Sequence, residues 1–202
     1  MKALIIGSGN FSERIFSFLG DCFFTICADG GYDHAMEYGI NPDIVIGDMD
    51  SVKEEITGKT LIFPKEKDET DSEIAINYAI ENGYTELVLA GFTGSRIDHT
   101  LNNILLLKMA HQKGAKAVII DEKNEIYYLD QKLTLDAKSG EFLSIIPIEG
   151  DVLGVTAQNV KYPLNDETLY FGKSRGISNE FLGERCTITV KKGSAIVVKS
   201  KD

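Results

Sequence analysis

Residues 42–51 read P-D-I-V-I-G-D-M-D-S, a short apolar run that ends directly in two aspartates one residue apart. Ile44, Val45 and Ile46, bounded by Pro42 and Gly47, predict a buried strand. In an extended chain alternate side chains share a face, so Asp48 and Asp50 are expected to point the same way. Neighbouring carboxylates repel unless a cation or a proton lies between them. Oxygen ligands at a strand's carboxyl end suit Mg²⁺, which takes one or two carboxylates together with substrate phosphates. An isolated D-x-D is equally the form of an exposed acidic turn, so its neighbours must decide.

Working outward from this stretch, short apolar runs recur at 3–6, 23–28, 60–63, 87–90 and 117–120, separated by longer amphipathic segments. Ile74, Ala75, Tyr78 and Ala79 fall at helical spacing, as do Leu101, Ile104, Leu105 and Met109. Thr70 followed by Glu73 is a capping box, which predicts a helix starting at Asp71. Strands alternating with helices predict an α/β domain over residues 1–124, Rossmann-like and three-layered, around a mostly parallel sheet. From about Asn124 the helical period disappears. Runs at 125–129, 141–148, 151–157, 168–170, 185–190 and 195–199 predict antiparallel strands, and residues 125–202 a smaller β-sandwich or barrel.

Composition limits the partners. With 31 acidic against 21 basic side chains, the 202-residue chain carries a net charge of -10, the wrong sign for nucleic acid or an anionic bilayer. An anionic substrate is tolerated only where local Lys and Arg or a divalent cation reverse that sign. Cys22, Cys27 and Cys186 are an odd number without metal-ligand spacing and read as reduced core residues. No run reaches the roughly 18–20 apolar residues of a membrane span, and residues 1–7 are too short for a signal segment. A cytoplasmic address is expected.

Other loops narrow the chemistry. Gly7-Ser8-Gly9 lacks the third glycine of a dinucleotide fingerprint, since position 12 is Ser12. Gly172-Lys173-Ser174 lacks the leading glycine of a Walker A loop, since position 167 is Glu167. Asp29-Gly30-Gly31 follows the second strand and serves either a close ligand or a plain turn. Residues 65–71, K-E-K-D-E-T-D, set cations and acids before a helix N-terminus, where negative charge is favoured. Residues 91–100, G-F-T-G-S-R-I-D-H-T, add Arg96, a planar fork for phosphate, and Asp98, able to hold a metal or a proton. His99 is left outside the chemistry. Four acid-bearing loops after strands read jointly as a divalent-metal nucleotide site.

In this order, A-D-G-G at 28–31, P-D-I-V-I-G-D-M-D-S at 42–51, K-D-E-T-D at 67–71 and G-S-R-I-D-H-T-L-N-N-I at 94–104 resemble the thiamine pyrophosphokinase family. R-G-I-S-N-E at 175–180 is similar to that family's substrate-side motif. The resemblance implies transfer of an intact pyrophosphoryl group from ATP to the thiamine hydroxyl, giving thiamine diphosphate and AMP. It also implies a homodimer with thiamine at the subunit interface. By matching position, Asp48, Asp50 and Asp71 are expected to hold Mg²⁺, and Asp29, Lys67, Asp68, Arg96 and Asp98 to line the ATP site. Ser178 and Asn179 are expected to face thiamine. Asp71 is expected to orient the thiamine hydroxyl or take its proton, with Asp98 the other candidate. The chain has no Trp, so stacking on thiamine falls to Tyr or Phe, with Phe181 the nearest choice. A metal-dependent nucleotide-sugar transferase also uses D-x-D, but leaves the K-D-E-T-D and R-I-D-H blocks unexplained. A non-enzymatic thiamine diphosphate-binding protein has no need of clustered carboxylates.

Overall fold

The computed structural model describes residues 1–19, 23–50, 52, 55–94 and 96–202. Cys22, Ser51 and Ser95, quoted above, lie outside the described residues. The chain divides into two units, residues 1–122 and 123–202.

In the first unit, β1 (Lys2–Ile6), β2 (Phe24–Ala28), β3 (Ile44–Gly47), β4 (Thr60–Ile62), β5 (Glu86–Ala90) and β6 (Lys116–Ile120) form one parallel sheet. Their order is β6-β5-β1-β2-β3-β4. β1 is central, with Leu4 opposite Thr25 on one side and Val88 on the other. Four of its five residues are buried, as a strand covered on both faces requires. The chain leaves β1 towards β4, then returns to β5 on β1's other edge. That reversal opens a crevice at the carboxyl ends of β1 and β5.

Helix α1 (Gly31–Glu37) follows β2, α2 (Asp71–Glu81) follows β4 and α3 (Ile97–Gln112) follows β5. Thr70 caps α2 by accepting from the Glu73 amide at 3.2 Å, so the helix begins at Asp71 as its sequence predicts. α3 also forms where its spacing predicts, but it buries Asn103, Leu106, Leu107 and Ala110. Leu101 and Leu105 face outward. The seven-residue α1 is too short to show a helical period, and sequence reasoning missed it, as it missed the 3-10 turn Glu13–Ser17.

The second unit holds two antiparallel sheets. One has the order β12-β9-β14-β7, with β7 at Asn124–Leu129, β9 at Phe142–Pro147, β12 at Asn179–Glu180 and β14 at Ala195–Ser200. The other has the order β11-β10-β13-β8, with β8 at Lys132–Asp136, β10 at Val152–Ala157, β11 at Leu164–Leu169 and β13 at Arg185–Thr189. A single apolar cluster joins both, with Leu143, Ile145 and Val197 from the first and Val155, Cys186 and Ile188 from the second. β8 was not anticipated, because this edge strand is mostly exposed and begins and ends in charge. Among the described residues, no helix is long and apolar enough to cross a membrane.

Candidate active site

A cleft of about 480 Å³ opens at the carboxyl ends of the first unit's strands, lined by the loops after β1, β2, β3 and β5 and by the segment entering α2. The loops after β1 and β5 meet back to back. Gly9 N donates to Gly91 O at 2.8 Å and Asn10 N to Thr93 O at 2.6 Å. A Cβ at Gly9 would stand 2.1 Å from Thr93 O, so this glycine serves close packing of two loops.

Asp29, Asp48 and Asp50 each bring a carboxylate oxygen within 4.8 Å of the others. Of the expected ligand set Asp48, Asp50 and Asp71, the first two are thus grouped with Asp29 rather than with Asp71. Asp29 follows β2, and a left-handed backbone (φ 47°) fixes its position. Asp48 and Asp50 converge for a reason that strand alternation did not supply. β3 ends at Gly47, Met49 takes φ 64°, and the Asp50 amide donates to Asp48 Oδ1 at 3.0 Å. Two non-glycine residues in the left-handed region mark stored backbone strain. Asp29 Oδ1 is buried, and among the described residues no donor meets it. A buried carboxylate oxygen left unpaired is costly unless a cation meets it, and an all-oxygen donor set fits a hard divalent ion.

Asp71, the first residue of α2, pairs with Lys67 at 2.9 Å, across the Thr70 cap. Both are largely shielded, at 12% exposure for the Lys67 side chain and 27% for Asp71. Asp71 also approaches the trio's foundation, since a Cβ at Gly47 would lie 3.0 Å from Asp29 Cβ and 3.2 Å from Asp71 Oδ1. Lys65, one of the cations of the 65–71 segment, hydrogen-bonds Asp50 Oδ2, and that bond raises the lysine's pKa. Among the described residues, five carboxylates face three cationic side chains across the cleft. The local field attracts a cation ahead of a polyphosphate.

Arg96 lines the cleft and holds Asp98 through two bonds, Nη2 to Oδ2 at 2.6 Å and Nε to Oδ1 at 3.2 Å. The guanidinium, with help from the His99 amide, keeps the Asp98 carboxyl down at about 2. Asp98 and Asp68 are exposed, and neither borders the cleft. Asn103 does border it, although its place in a helical apolar pattern gave no signal of this.

In the second unit, Ser178 has φ 56° and an exposed side chain, while its amide donates to Ser144 Oγ at 3.1 Å. Asn179 is placed differently. It is buried, its Oδ1 accepts from the Tyr162 and Glu180 amides at 2.9 and 3.0 Å, and its Nδ2 donates to Tyr162 O at 2.7 Å. That amide is committed to backbone. Phe181 is fully buried in the β core, so its ring offers no face to a ligand.

Comparison with known proteins matches this division. A family model described as thiamin pyrophosphokinase, catalytic domain, matches residues 17–119. A second, described as thiamin pyrophosphokinase, vitamin B1 binding domain, matches residues 130–195. The thiamine pyrophosphokinase of Bacillus subtilis (strain 168) is 32% identical over 187 residues, covering 88% of this chain and 87% of that protein. The crystal structure of thiamine pyrophosphokinase from Bacillus subtilis superimposes with a TM-score of 0.90 at 27% identity, covering all of both chains. That of thiamin pyrophosphokinase from Geobacillus thermodenitrificans gives 0.86 at 26% identity, covering 100% of this chain and 98% of the other.

Proposed function

The chain belongs to the thiamine pyrophosphokinase family, and from that premise we propose how its own residues carry out the family's reaction, the transfer of pyrophosphate from ATP to the thiamine hydroxyl to give thiamine diphosphate and AMP. One observation carries the reading: acids from the loops after β2 and β3 and from the start of α2 meet Lys67 and Arg96 in a single cleft.

Mg²⁺ is held by Asp48 and Asp50, joined by Asp29, whose buried unpaired oxygen supports its inclusion. When bound, the ion neutralises phosphate charge and stabilises the charge that develops during transfer. Lys67 and Arg96 supply fixed positive charge to the phosphate oxygens. Asp71 orients the thiamine hydroxyl or takes its proton, supported by its rigid place at a capped helix start inside the cleft. Its Oδ1 would lie 3.2 Å from a Cβ at Gly47, which itself would stand 3.0 Å from Asp29 Cβ, and this neighbourhood supports a further role for Asp71 as a metal ligand. Asp98 serves through Arg96, since their two-point contact fixes the guanidinium plane. Asp68, outside the cleft, acts on the ATP site as exposed charge only.

The first unit is the ATP- and metal-binding domain, a Rossmann-like layered fold, and the second is a β-sandwich that binds thiamine. Ser178 faces thiamine, and Asn179 fixes the strand that presents it. The enzyme works as a homodimer with thiamine at the interface. The exposed stripe of Ile97, Leu101 and Leu105, one helical turn apart on α3, supports burial of that face in the assembly. Free, buried Cys27 and Cys186 are consistent with a cytoplasmic address.

Incubation with ATP, thiamine and Mg²⁺, followed by mass identification of both products, tests the reading. Thiamine diphosphate with AMP is expected. ADP with thiamine monophosphate would mean a different group is transferred.

A further inference from the structure

The cleft has two kinds of lining. The loops after β2 and β3 and the segment entering α2 bring the carboxylates and both lysines, whereas the loops after β1 and β5 bring Gly9, Phe92 and Thr93 ahead of Arg96, joined by Asn103 from α3. Beside Gly9, Phe92 and Thr93, Asn103 is 8% exposed, more than nine-tenths buried. Its Nδ2 donates to the Phe92 carbonyl at 2.9 Å. A carbonyl only accepts, so the nitrogen must face Phe92 and the amide cannot be turned over. Its oxygen is thereby fixed, and among the described residues no donor meets Oδ1. Asn103 borders the cleft, where this fixed acceptor meets a ligand.

An oriented acceptor is a poor neighbour for phosphate oxygens, which are acceptors themselves. It suits a neutral donor. We propose that Asn103 Oδ1 is a reading group of the nucleoside subsite, accepting a hydrogen bond from a neutral donor on the nucleotide, either the exocyclic amine of the base or a ribose hydroxyl. The proposal rests on the ATP reading above and names the part of ATP that this wall takes. Three hydrogen bonds hold the neighbouring loop still. Thr93 Oγ1 donates to Asp121 Oδ2 at 3.1 Å, Gly94 N donates to Thr100 Oγ1 at 3.2 Å, and Thr100 Oγ1 donates to Arg96 O at 3.1 Å. A pinned loop gives Phe92 O, and through it Asn103, a fixed position.

The test is a binding cycle in Mg²⁺ without thiamine, so that no turnover occurs. Wild type and Asn103→Ala are titrated with ATP, with the analogue lacking the base amine, and with 2′-deoxy- and 3′-deoxy-ATP. Wild type is expected to bind one analogue about 2- to 10-fold more weakly than ATP, the range of one neutral hydrogen bond. The Ala variant is expected to bind ATP and that analogue alike, and the analogue affected identifies the donor. A merely structural asparagine weakens all four ligands equally, and that result, or equal binding of all four by wild type, overturns the proposal. Should the Ala variant fail to fold, the side-chain ¹⁵N resonance of Asn103 in wild type decides. It is expected to shift with ATP and not with the deletion analogue, and an equal response to both overturns the proposal. Failure of wild type to bind ATP at all would strike the nucleotide reading itself, whereas binding without discrimination strikes only Asn103.

Discussion

Lys67 Nζ lies 2.9 Å from Asp71 Oδ1, and the two residues flank Thr70, the cap of α2. The pair therefore ties a phosphate-binding cation to the residue placed to handle the hydroxyl. Asp71→Asn keeps the shape, removes the charge and leaves Lys67 shielded without a counter-charge. Turnover should fall roughly 10²- to 10⁴-fold, the usual contribution of a positioned acid or base. Melting should also drop, by about 1–2 kcal/mol of stability, for a half-shielded pair. Near-normal turnover at saturating Mg²⁺ would remove the role from Asp71.

The acid trio makes a separate prediction, read without turnover. Asp48→Asn and Asp29→Asn should each weaken Mn²⁺ or Mg²⁺ binding by at least the roughly 10- to 100-fold that loss of an outer-shell partner costs. Calorimetric titration of the metal alone measures this. Unchanged affinity in Asp29→Asn would leave Asp48 and Asp50 as the only ligands of the three.

Gly9→Ala should damage the site more than the fold. The added methyl meets Thr93 O, so the loop after β5 has to move, and that loop leads to Arg96. A KM for ATP raised about tenfold or more, as displaced contacts in a preorganised site predict, is the expected result. Steady-state kinetics beside a thermal melt separates the two effects.

Leu101→Glu puts charge into the exposed stripe on α3. If that face is buried against a second copy, sedimentation should show a shift from dimer to monomer together with loss of activity. A variant that stays dimeric and active would place the interface elsewhere.

Burial pushes the Cys27 thiol up to about 12. The native state therefore keeps a proton that the unfolded chain releases near pH ~9. Stability from this group is complete below that pH and declines as pH rises towards about 12, by at most ~1.4 kcal/mol per pH unit. Cys27→Ala should flatten the alkaline slope in denaturant titrations. The native thiol should also resist alkylation at pH 8, and rapid labelling would contradict its burial.

The six parallel strands were legible because each is a continuous apolar run, and α2 because Thr70 and Glu73 announce its first residue. Asp48 and Asp50 were legible as a pair, but the bend at Met49 was not, since methionine has no preference for a left-handed backbone. Asp29 joins them through sheet order, which places β2 beside β3, a contact that no local pattern encodes. Asn179 misled in the other direction. A polar residue in a substrate-side motif suggests a ligand contact, yet its three hydrogen bonds all go to backbone of the same unit. Asn103 was hidden for a similar reason, being an amide on a face that its neighbours make look like core.

The kinked backbone at Met49 has a bearing on how far this protein can be hardened. Glycine there would relax the chain and raise its tolerance of heat, yet the same relaxation would let the two flanking acids drift apart. Thermal robustness and grip on a cation thus pull in opposite directions at one residue.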